Sequence, residues 1–133
     1  MNGVRLTVRI DFGSAGALGP GKIRLLEAIG KTGSISQAGR SLGMSYRRAW
    51  LLVDDLNRSF RASVVVTQPG GPRGGGAELT RFGRDLIKKY RAIESRAEVA
   101  AKRQMRDLEA ALRGRRSGRQ RLKTSIQAAG SGG

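Results

Sequence analysis

Residues 31–60, KTGSISQAGRSLGMSYRRAWLLVDDLNRSF, decide the fold that we predict for this chain. Gly33 is suited to ending a helix, because the position after a helix often takes a left-handed backbone. Ser34 and Gln37 then form an S-x-x-Q capping box, which predicts the start of a second helix over about residues 34–42. These signals place two helix boundaries within four residues of each other.

A third and longer helix is predicted over about residues 45–61, after a break at Gly43 and with Ser45 as its cap. Helix, tight turn and helix with a basic first turn is the layout of a helix-turn-helix that reads the DNA major groove. In the third helix we expect DNA contacts from Ser45, Tyr46, Arg47 and Arg48. In the second helix we expect them from Ser34, Ser36, Gln37 and Arg40. Taken alone, the segment fits two ordinary helices with a solvated basic turn equally well.

The third helix also carries an apolar stripe that we expect to face the core, made of Ala49, Leu52, Val53, Leu56 and Phe60. Tyr46 and Trp50 lie beside this stripe. For both we favour packing at the edge of the core, with a DNA contact by Tyr46 as the alternative.

The composition favours an anionic partner. The chain has 133 residues, with 26 Lys and Arg against 10 Asp and Glu, so its net charge is +16. That excess indicates nucleic acid first and an acidic membrane surface second. The chain has no Cys and no His, which excludes disulfides, thiol catalysis and zinc fingers with these ligands. We predict no membrane span and no signal peptide, and therefore a cytoplasmic protein at the nucleoid.

The N-terminal third of the chain predicts a strand and a helix. Residues 4–10, VRLTVRI, alternate apolar and polar side chains, as a half-buried strand does. A first helix begins near Pro20 and ends at Gly33. Its inward positions are Ile23, Leu26 and Ile29.

A hairpin is predicted after the third helix. Residues 63–68 are rich in β-branched side chains, and residues 77–79 can return as the partner strand. The loop between them holds five Gly, two Pro and the single basic residue Arg73. Alone, such a loop is more often a mobile surface segment. Directly after a helix-turn-helix, the hairpin indicates the wing of a winged-helix domain, with Arg73 suited to a narrow minor groove.

A long helix is predicted over about residues 81–113, after Thr80 as its cap. Its apolar side chains recur at steps of three and four, with a stutter between Ala97 and Ala101. About 33 residues give a rod of about 50 Å, which a small domain cannot cover. We therefore favour dimerisation over a helix folded back on its own domain. The predicted dimer stripe is Leu86, Tyr90, Ile93, Ala97, Met105, Leu108 and Leu112.

The predicted fold class is α+β, a winged helix-turn-helix with a long C-terminal dimerisation helix. The DNA-binding domain is assigned to residues 1–79 and the linker and dimerisation helix to 80–113. Residues 114–133 carry five basic residues and no acidic one. We predict a disordered basic tail for them.

Two stretches resemble a known family: GPGKIRLLEAIGKTGSISQAGRSLGMSYRRAWLLVDDLN, residues 19–57, and GGGAELTRFGRDLIKKY, residues 74–90. Both are similar to the N-terminal domain of ModE-type molybdate-responsive transcription regulators, within the LysR-like winged helices. The resemblance implies a homodimer on a palindromic operator, near genes for molybdate or tungstate uptake or for molybdoenzymes. Sensing members carry C-terminal oxyanion-binding domains, which residues 114–133 do not resemble. We therefore expect this chain to act constitutively, to respond through a separate oxyanion-sensing protein, or to control something else.

The expected function is that of a sequence-specific, dimeric DNA-binding transcription regulator. The alternative is an architectural nucleic-acid-binding protein of low sequence specificity. An enzyme is not expected, because the sequence has no His, no Cys and no convergent pair of carboxylates. Asp54 and Asp55 are neighbours on a helix and point in different directions. We predict no cofactor and no metal. The predicted partners are double-stranded DNA and a second copy of the chain, and no membrane.

Overall fold

The computed structural model describes residues 3–69 and 76–114. In these ranges the protein is α+β and mostly helical, with two small antiparallel sheets. The chain forms two compact units. One runs from Thr7 to Arg96, and the other combines the described residues before Thr7 with those from Ala97 to Gly114. Among the helices in the described ranges, none has the length and apolar character needed to cross a membrane.

The elements follow in chain order as two short strands, three helices, a hairpin and two further helices. They are β1 (Ile10–Asp11), β2 (Ala17–Leu18), α1 (Pro20–Thr32), α2 (Ile35–Ser41), α3 (Tyr46–Ser59), β3 (Val65–Thr67), β4 (Ala77–Leu79), α4 (Arg81–Ala100) and α5 (Lys102–Ala111). Strand β1 pairs with β2, and β3 pairs with β4, with Val65 opposite Leu79.

The junction between α1 and α2 forms as the sequence predicts. Gly33 takes a left-handed backbone with φ of 71°, and the hydroxyl oxygen of Ser34 accepts a hydrogen bond from the backbone N–H of Gln37. Half of the predicted capping box is replaced, because the backbone N–H of Ser34 donates to the Thr32 hydroxyl at 3.2 Å. The threonine therefore supplies the acceptor that the capping box assigns to the Gln37 side chain.

The turn from α2 to α3 also agrees with the prediction. Gly43 has φ of 72°, a value that glycine adopts without strain. The hydroxyl oxygen of Ser45 accepts a hydrogen bond from the backbone N–H of Arg48 at 3.1 Å, so Ser45 caps α3. The start of α3 is thereby fixed by its own local sequence.

The hydrophobic core of the larger unit joins α1, α2 and α3 to the hairpin and to the first turns of α4. Its buried members are Leu18, Ile23, Leu25, Leu26, Ile29, Ile35, Ala38, Ala49, Val53, Leu56, Val64, Val65, Ala77, Leu86 and Tyr90. Tyr90 is fully enclosed, and its hydroxyl donates to the carbonyl oxygen of Val8 at 2.5 Å. Burial, assisted by the negative charge of Glu94, raises the pKa of Tyr90.

The N-terminal strand is much shorter than the prediction for residues 4–10. Only Ile10 of that range belongs to β1, and its partner β2 has just two residues. Burial nevertheless alternates, with Leu6, Val8 and Ile10 half-buried between exposed residues. The alternating sequence thus indicated which side chains face inward, but not a continuous ladder of backbone hydrogen bonds.

The prediction of one continuous helix over residues 81–113 is wrong. Ala101 separates α4 from α5, with φ of −97° and ψ of 4°. Backbone hydrogen bonds still run from Ala101 to Ala97 at 2.9 Å and from Met105 to Ala101 at 2.8 Å. The irregular residue lies where the spacing of apolar side chains predicted a stutter. The final apolar residue of the predicted stripe, Leu112, follows the end of α5.

Leu86 and Tyr90 must be removed from the predicted dimer stripe. They are 7% and 1% exposed and belong to the core of this chain itself. The physical reason is that α4 is fastened to the hairpin at its start, where the backbone N–H of Thr80 donates to the carbonyl of Val64 at 3.0 Å. The first turns of α4 therefore pack on the domain. Farther along, Ile93 is 45% exposed.

Candidate nucleic-acid interface

Helix α3 presents distinct surfaces because an α-helix repeats every 3.6 residues. Arg47 lies opposite the buried face, Tyr46 flanks that face on one side, and Arg48 flanks it on the other. All three side chains are exposed. The buried face consists of Ala49, Val53 and Leu56. The predicted contact residues of α3 therefore reach solvent in three different directions.

The stretch from the last turn of α1 to the middle of α3 carries positive charge and no acidic residue. Between Glu27 and Asp54 the sequence has no acidic residue and four basic ones, which are Lys31, Arg40, Arg47 and Arg48. All four are exposed, and none forms an ion pair with an acidic residue in the described ranges. Such a surface attracts phosphate groups.

Tyr46 and Trp50 form an exposed pair on one flank of α3. The indole N–H of Trp50 donates a hydrogen bond to the Tyr46 hydroxyl oxygen. The rings meet edge to face, with centroids 6.4 Å apart and an interplanar angle of 78°. Tyr46 is 58% exposed and Trp50 is 37% exposed. Tyr46 is thus more exposed than our interpretation of both as core-edge residues expects, whereas the smaller exposure of Trp50 is compatible with it. Their spacing of four residues brings the two side chains together on one side of the helix.

Arg48 lies on the opposite flank, in a groove of about 530 Å³. Lys22 of α1 also lines this groove and donates to the Asp55 carboxylate at 2.5 Å and to the carbonyl of Ala17 at 2.8 Å. The second carboxylate of the groove, Asp11, is paired with Arg9. Arg48 is thus the basic side chain of the groove that has no carboxylate partner among the described residues. Asp54 pairs with Arg58 instead, so Asp54 and Asp55 do point in different directions.

The predicted contact residues of α2 lie at its start and along its exposed side. Ser34 is the half-buried cap, and Gln37 is exposed. The guanidinium of Arg40 donates to the Ser36 hydroxyl at 3.4 Å. Of these four, Gln37 and Arg40 reach farthest into solvent, whereas the two serines serve partly as local acceptors.

Gly39 is a structural determinant of this surface that the sequence reasoning missed. A Cβ at this position would lie 2.9 Å from the Cβ of Ala49 and 3.5 Å from Cγ of Met44. Helices α2 and α3 therefore meet almost backbone to backbone at this point. The available signal was a glycine inside a short predicted helix, which often has a packing reason.

Asn57 is a second determinant that the sequence reasoning missed. Its side-chain oxygen accepts hydrogen bonds from the backbone N–H groups of Val64 at 2.7 Å and Val65 at 3.2 Å. Its side-chain amide donates to the carbonyl of Val65 at 3.0 Å. Asn57 thereby fixes β3 to the last turn of α3. In the sequence, an asparagine near a helix end that bonds to a strand looks the same as an asparagine that is solvated.

The second strand of the hairpin is held at its other side. The backbone N–H of Ala77 donates to the carbonyl of Gly33, in the junction between α1 and α2, at 2.9 Å. Backbone pairing continues beyond β3 and β4, since the backbone N–H of Gln68 donates to the carbonyl of Gly76 at 2.9 Å. The predicted wing residue Arg73 lies outside the described residues, as does the predicted tail from residue 115 onward.

Comparison with known proteins finds relatives that are similar to this chain. No protein-family model matches the chain. It is 50% identical over 78 residues to the molybdenum-pterin-binding protein MopB of Rhodobacter capsulatus, covering 59% of this chain and 29% of that protein. It is 39% identical over 99 residues to the molybdenum transport protein ModE of Azotobacter vinelandii, covering 74% and 36%.

A third relative carries a name that describes DNA binding. The DNA-binding transcriptional dual regulator ModE of Escherichia coli K12 is 42% identical over 71 residues, covering 53% of this chain and 27% of that protein. The chain thus spans about a third of the length of the curated relatives that it matches. These relatives match the N-terminal part of this chain, which is consistent with the N-terminal domain of a ModE-type regulator.

Proposed function

We propose that this protein is a sequence-specific DNA-binding transcription regulator of the ModE type. In this proposal α2 and α3 are a helix-turn-helix, and α3 enters the DNA major groove with its first turn. The observation that carries the proposal is the exposed, basic first turn of α3. It lies in a stretch of sequence, from Glu27 to Asp54, that has no acidic residue between these two. The relative named as a DNA-binding regulator supports it.

The three directions taken by the first turn of α3 suggest separate tasks. Arg47, opposite the buried face, is proposed to read guanine, whose N7 and O6 atoms match a guanidinium. Arg48, in the groove beside α1, is proposed to contact a phosphate and so to set the register of the protein on DNA. Further contacts to the DNA backbone are proposed for Ser34, Ser36, Gln37, Arg40 and Ser45.

The hairpin of β3 and β4 is proposed to be the wing of a winged helix. Asn57 and the bond from Ala77 to Gly33 hold both strands beside the helices. A loop carried by this hairpin would therefore reach DNA at a defined distance from α3. We propose that Arg73 in this loop enters the minor groove.

A homodimer is proposed, because several apolar side chains of the last two helices face solvent. Ile93, Leu108 and, beyond α5, Leu112 belong to the predicted dimer stripe, whereas Val99 is exposed but lies outside that stripe. Ala97 and Met105, which the sequence assigned to the same stripe, are half-buried. A second copy that covers these side chains would provide two copies of α3 for a palindromic operator.

The regulated genes are proposed to serve molybdenum metabolism. Relatives of this chain are named as a molybdenum transport protein and a molybdenum-pterin-binding protein. We therefore propose an operator near genes for molybdate or tungstate uptake or for molybdoenzymes.

The test is a selection of genomic DNA fragments by the full chain, followed by gel shifts with the wild type and with single alanine variants. Arg47→Ala should lose about 1–3 kcal/mol on the selected operator and much less on random DNA. Arg48→Ala should weaken both kinds of DNA alike and reduce the salt slope by about 0.9, the value for one phosphate.

A matched control is Arg58→Ala, which removes the same charge from the last turn of α3. It should have a smaller effect than either variant of the first turn. Equal binding of all genomic fragments by the wild type would contradict the proposal and favour the architectural alternative. Equal losses of Arg47→Ala on operator and random DNA would reassign Arg47 to a phosphate.

A further inference from the structure

We infer that Trp50 orients the hydroxyl group of Tyr46, so that Tyr46 donates a hydrogen bond to an acceptor atom on a base edge in the major groove. Tyr46 is then a specificity-determining residue, and Trp50 is a positioning residue that acts through it. The inference rests on the proposed function, because it assigns a contact with a DNA base to one flank of the helix that we propose to enter the major groove.

The hydrogen bond between the two side chains fixes which group gives the proton. The indole N–H can only donate, whereas a phenolic hydroxyl both donates and accepts. The Tyr46 oxygen therefore accepts from Trp50, and its own proton must point elsewhere. Tyr46 is 58% exposed, and no acceptor for its hydroxyl proton is found among the described residues, so that proton is available to solvent or to a ligand.

The pair is also restrained before any ligand arrives. The two residues are one helical turn apart, and their rings pack edge to face at 6.4 Å. Edge-to-face packing is a favoured arrangement for aromatic rings. Tyr46 therefore has less side-chain freedom to lose on binding than an isolated tyrosine, which favours a contact with a defined partner.

An outward-pointing donor discriminates among base edges in the major groove. Guanine offers N7 and O6, adenine offers N7 and thymine offers O4 as acceptors, whereas cytosine offers only its amino donor. Tyr46 should therefore favour purines or thymine at the base that it meets, and disfavour cytosine. Arg47, which is also a donor, points away from this flank and cannot replace it.

The test compares four forms of the full chain on an operator selected by the wild type: wild type, Tyr46→Phe, Trp50→Phe and the double variant. Tyr46→Phe should bind the operator about 2- to 10-fold more weakly, the range for one hydrogen bond, and should lose the preference at one base pair. Trp50→Phe keeps an aromatic ring but removes the N–H, so it should relax the preference at that same base pair. In the Tyr46→Phe background it should have no further effect.

Base analogues then identify the acceptor. Operators that carry a 7-deazapurine, or a base without the 6- or 4-oxygen, should at one position weaken binding of the wild type by the same factor as the Tyr46→Phe change does. The same operators should not weaken binding of Tyr46→Phe further. Methylphosphonates at the neighbouring phosphates should weaken both proteins equally. If the methylphosphonates, and not the base analogues, abolish the difference between the two proteins, Tyr46 contacts a phosphate and the inference is overturned.

A spectroscopic readout tests the pair without DNA. Trp50 is the single tryptophan of the chain, so the emission spectrum reports its surroundings alone. Tyr46→Phe should shift this emission, because the indole N–H loses its partner, and melting temperatures should show that the variant is folded. An unchanged emission, or equal effects of Trp50→Phe with and without the Tyr46 hydroxyl, would overturn the role of Trp50. If instead the wild type selects no operator, the proposed function itself fails.

Discussion

Replacing Gly39 with alanine should push α3 away from α2. The added Cβ would lie 2.9 Å from the Cβ of Ala49, about 1 Å closer than the usual contact between carbon atoms. Both atoms are attached directly to helix backbones, so rotation of a side chain cannot relieve the clash. Overpacking of this kind costs about 1–3 kcal/mol, and alanine regains about 0.5–1 kcal/mol as the better helix former. We expect a net loss of about 0–2.5 kcal/mol.

The assay is urea-induced unfolding followed by circular dichroism. Gly21→Ala is the matched control, because a methyl group added to this glycine of α1 would meet no atom within 4 Å. It should leave the free energy of unfolding unchanged or raise it by up to about 1 kcal/mol. Since α3 must move, Gly39→Ala should also weaken operator binding at temperatures where the protein stays folded.

The double variant Gly39→Ala with Ala49→Gly tests the cause directly. It moves one methyl group from α3 to α2 and restores the space between them. The double variant should therefore be more stable than the sum of the two single changes predicts, by about 1 kcal/mol. If Gly39→Ala alone stabilises the protein as much as Gly21→Ala does, the close approach of α2 and α3 is refuted.

Three further changes test other parts of the structure. Gly83→Ala should cost about 3 kcal/mol in thermal unfolding, because the new Cβ would lie 2.3 Å from the backbone oxygen of Val64; a variant as stable as wild type would contradict the packing of α4 on β3. Asn57→Ala should cost about 1–3 kcal/mol in chemical unfolding, since it removes the side-chain partners of β3, whereas Asn57→Asp keeps the acceptor oxygen and should cost less. Ile93→Asp should convert a dimer to a monomer in sedimentation, while Ser95→Asp, which adds the same charge at an exposed polar position, should not; a monomeric wild type would rule out the dimer.

The helix boundaries around α2 and α3 could be predicted because their causes are local. Gly33, Ser34 and Ser45 act on backbone groups within four residues of themselves. The pattern of apolar residues likewise placed Ile23 and Val53 in the core. Such effects depend on nearest neighbours along the chain, and the sequence displays those directly.

The misplaced residues depend on contacts between distant parts of the chain. Tyr90 looked like part of a free stripe, but its hydroxyl meets Val8, 82 residues earlier. The role of Asn57 became visible only when the hairpin was seen to lie beside α3. The hydrogen bond between Trp50 and Tyr46 was not predicted either, because it depends on the rotamers of two exposed rings.

The joint between α3 and the hairpin is electrically neutral. The side-chain amide of Asn57 bonds there to backbone groups of Val64 and Val65. The bond from Ala77 to Gly33 joins two backbone groups. Neither salt nor a change of pH near neutrality alters the charge of any of these groups, and the chain contains no histidine. The distance between the two DNA-facing elements that we propose should therefore stay constant across such conditions. The change of DNA affinity with ionic strength then gives the number of phosphate contacts, without a correction for a change in the shape of the DNA-binding domain.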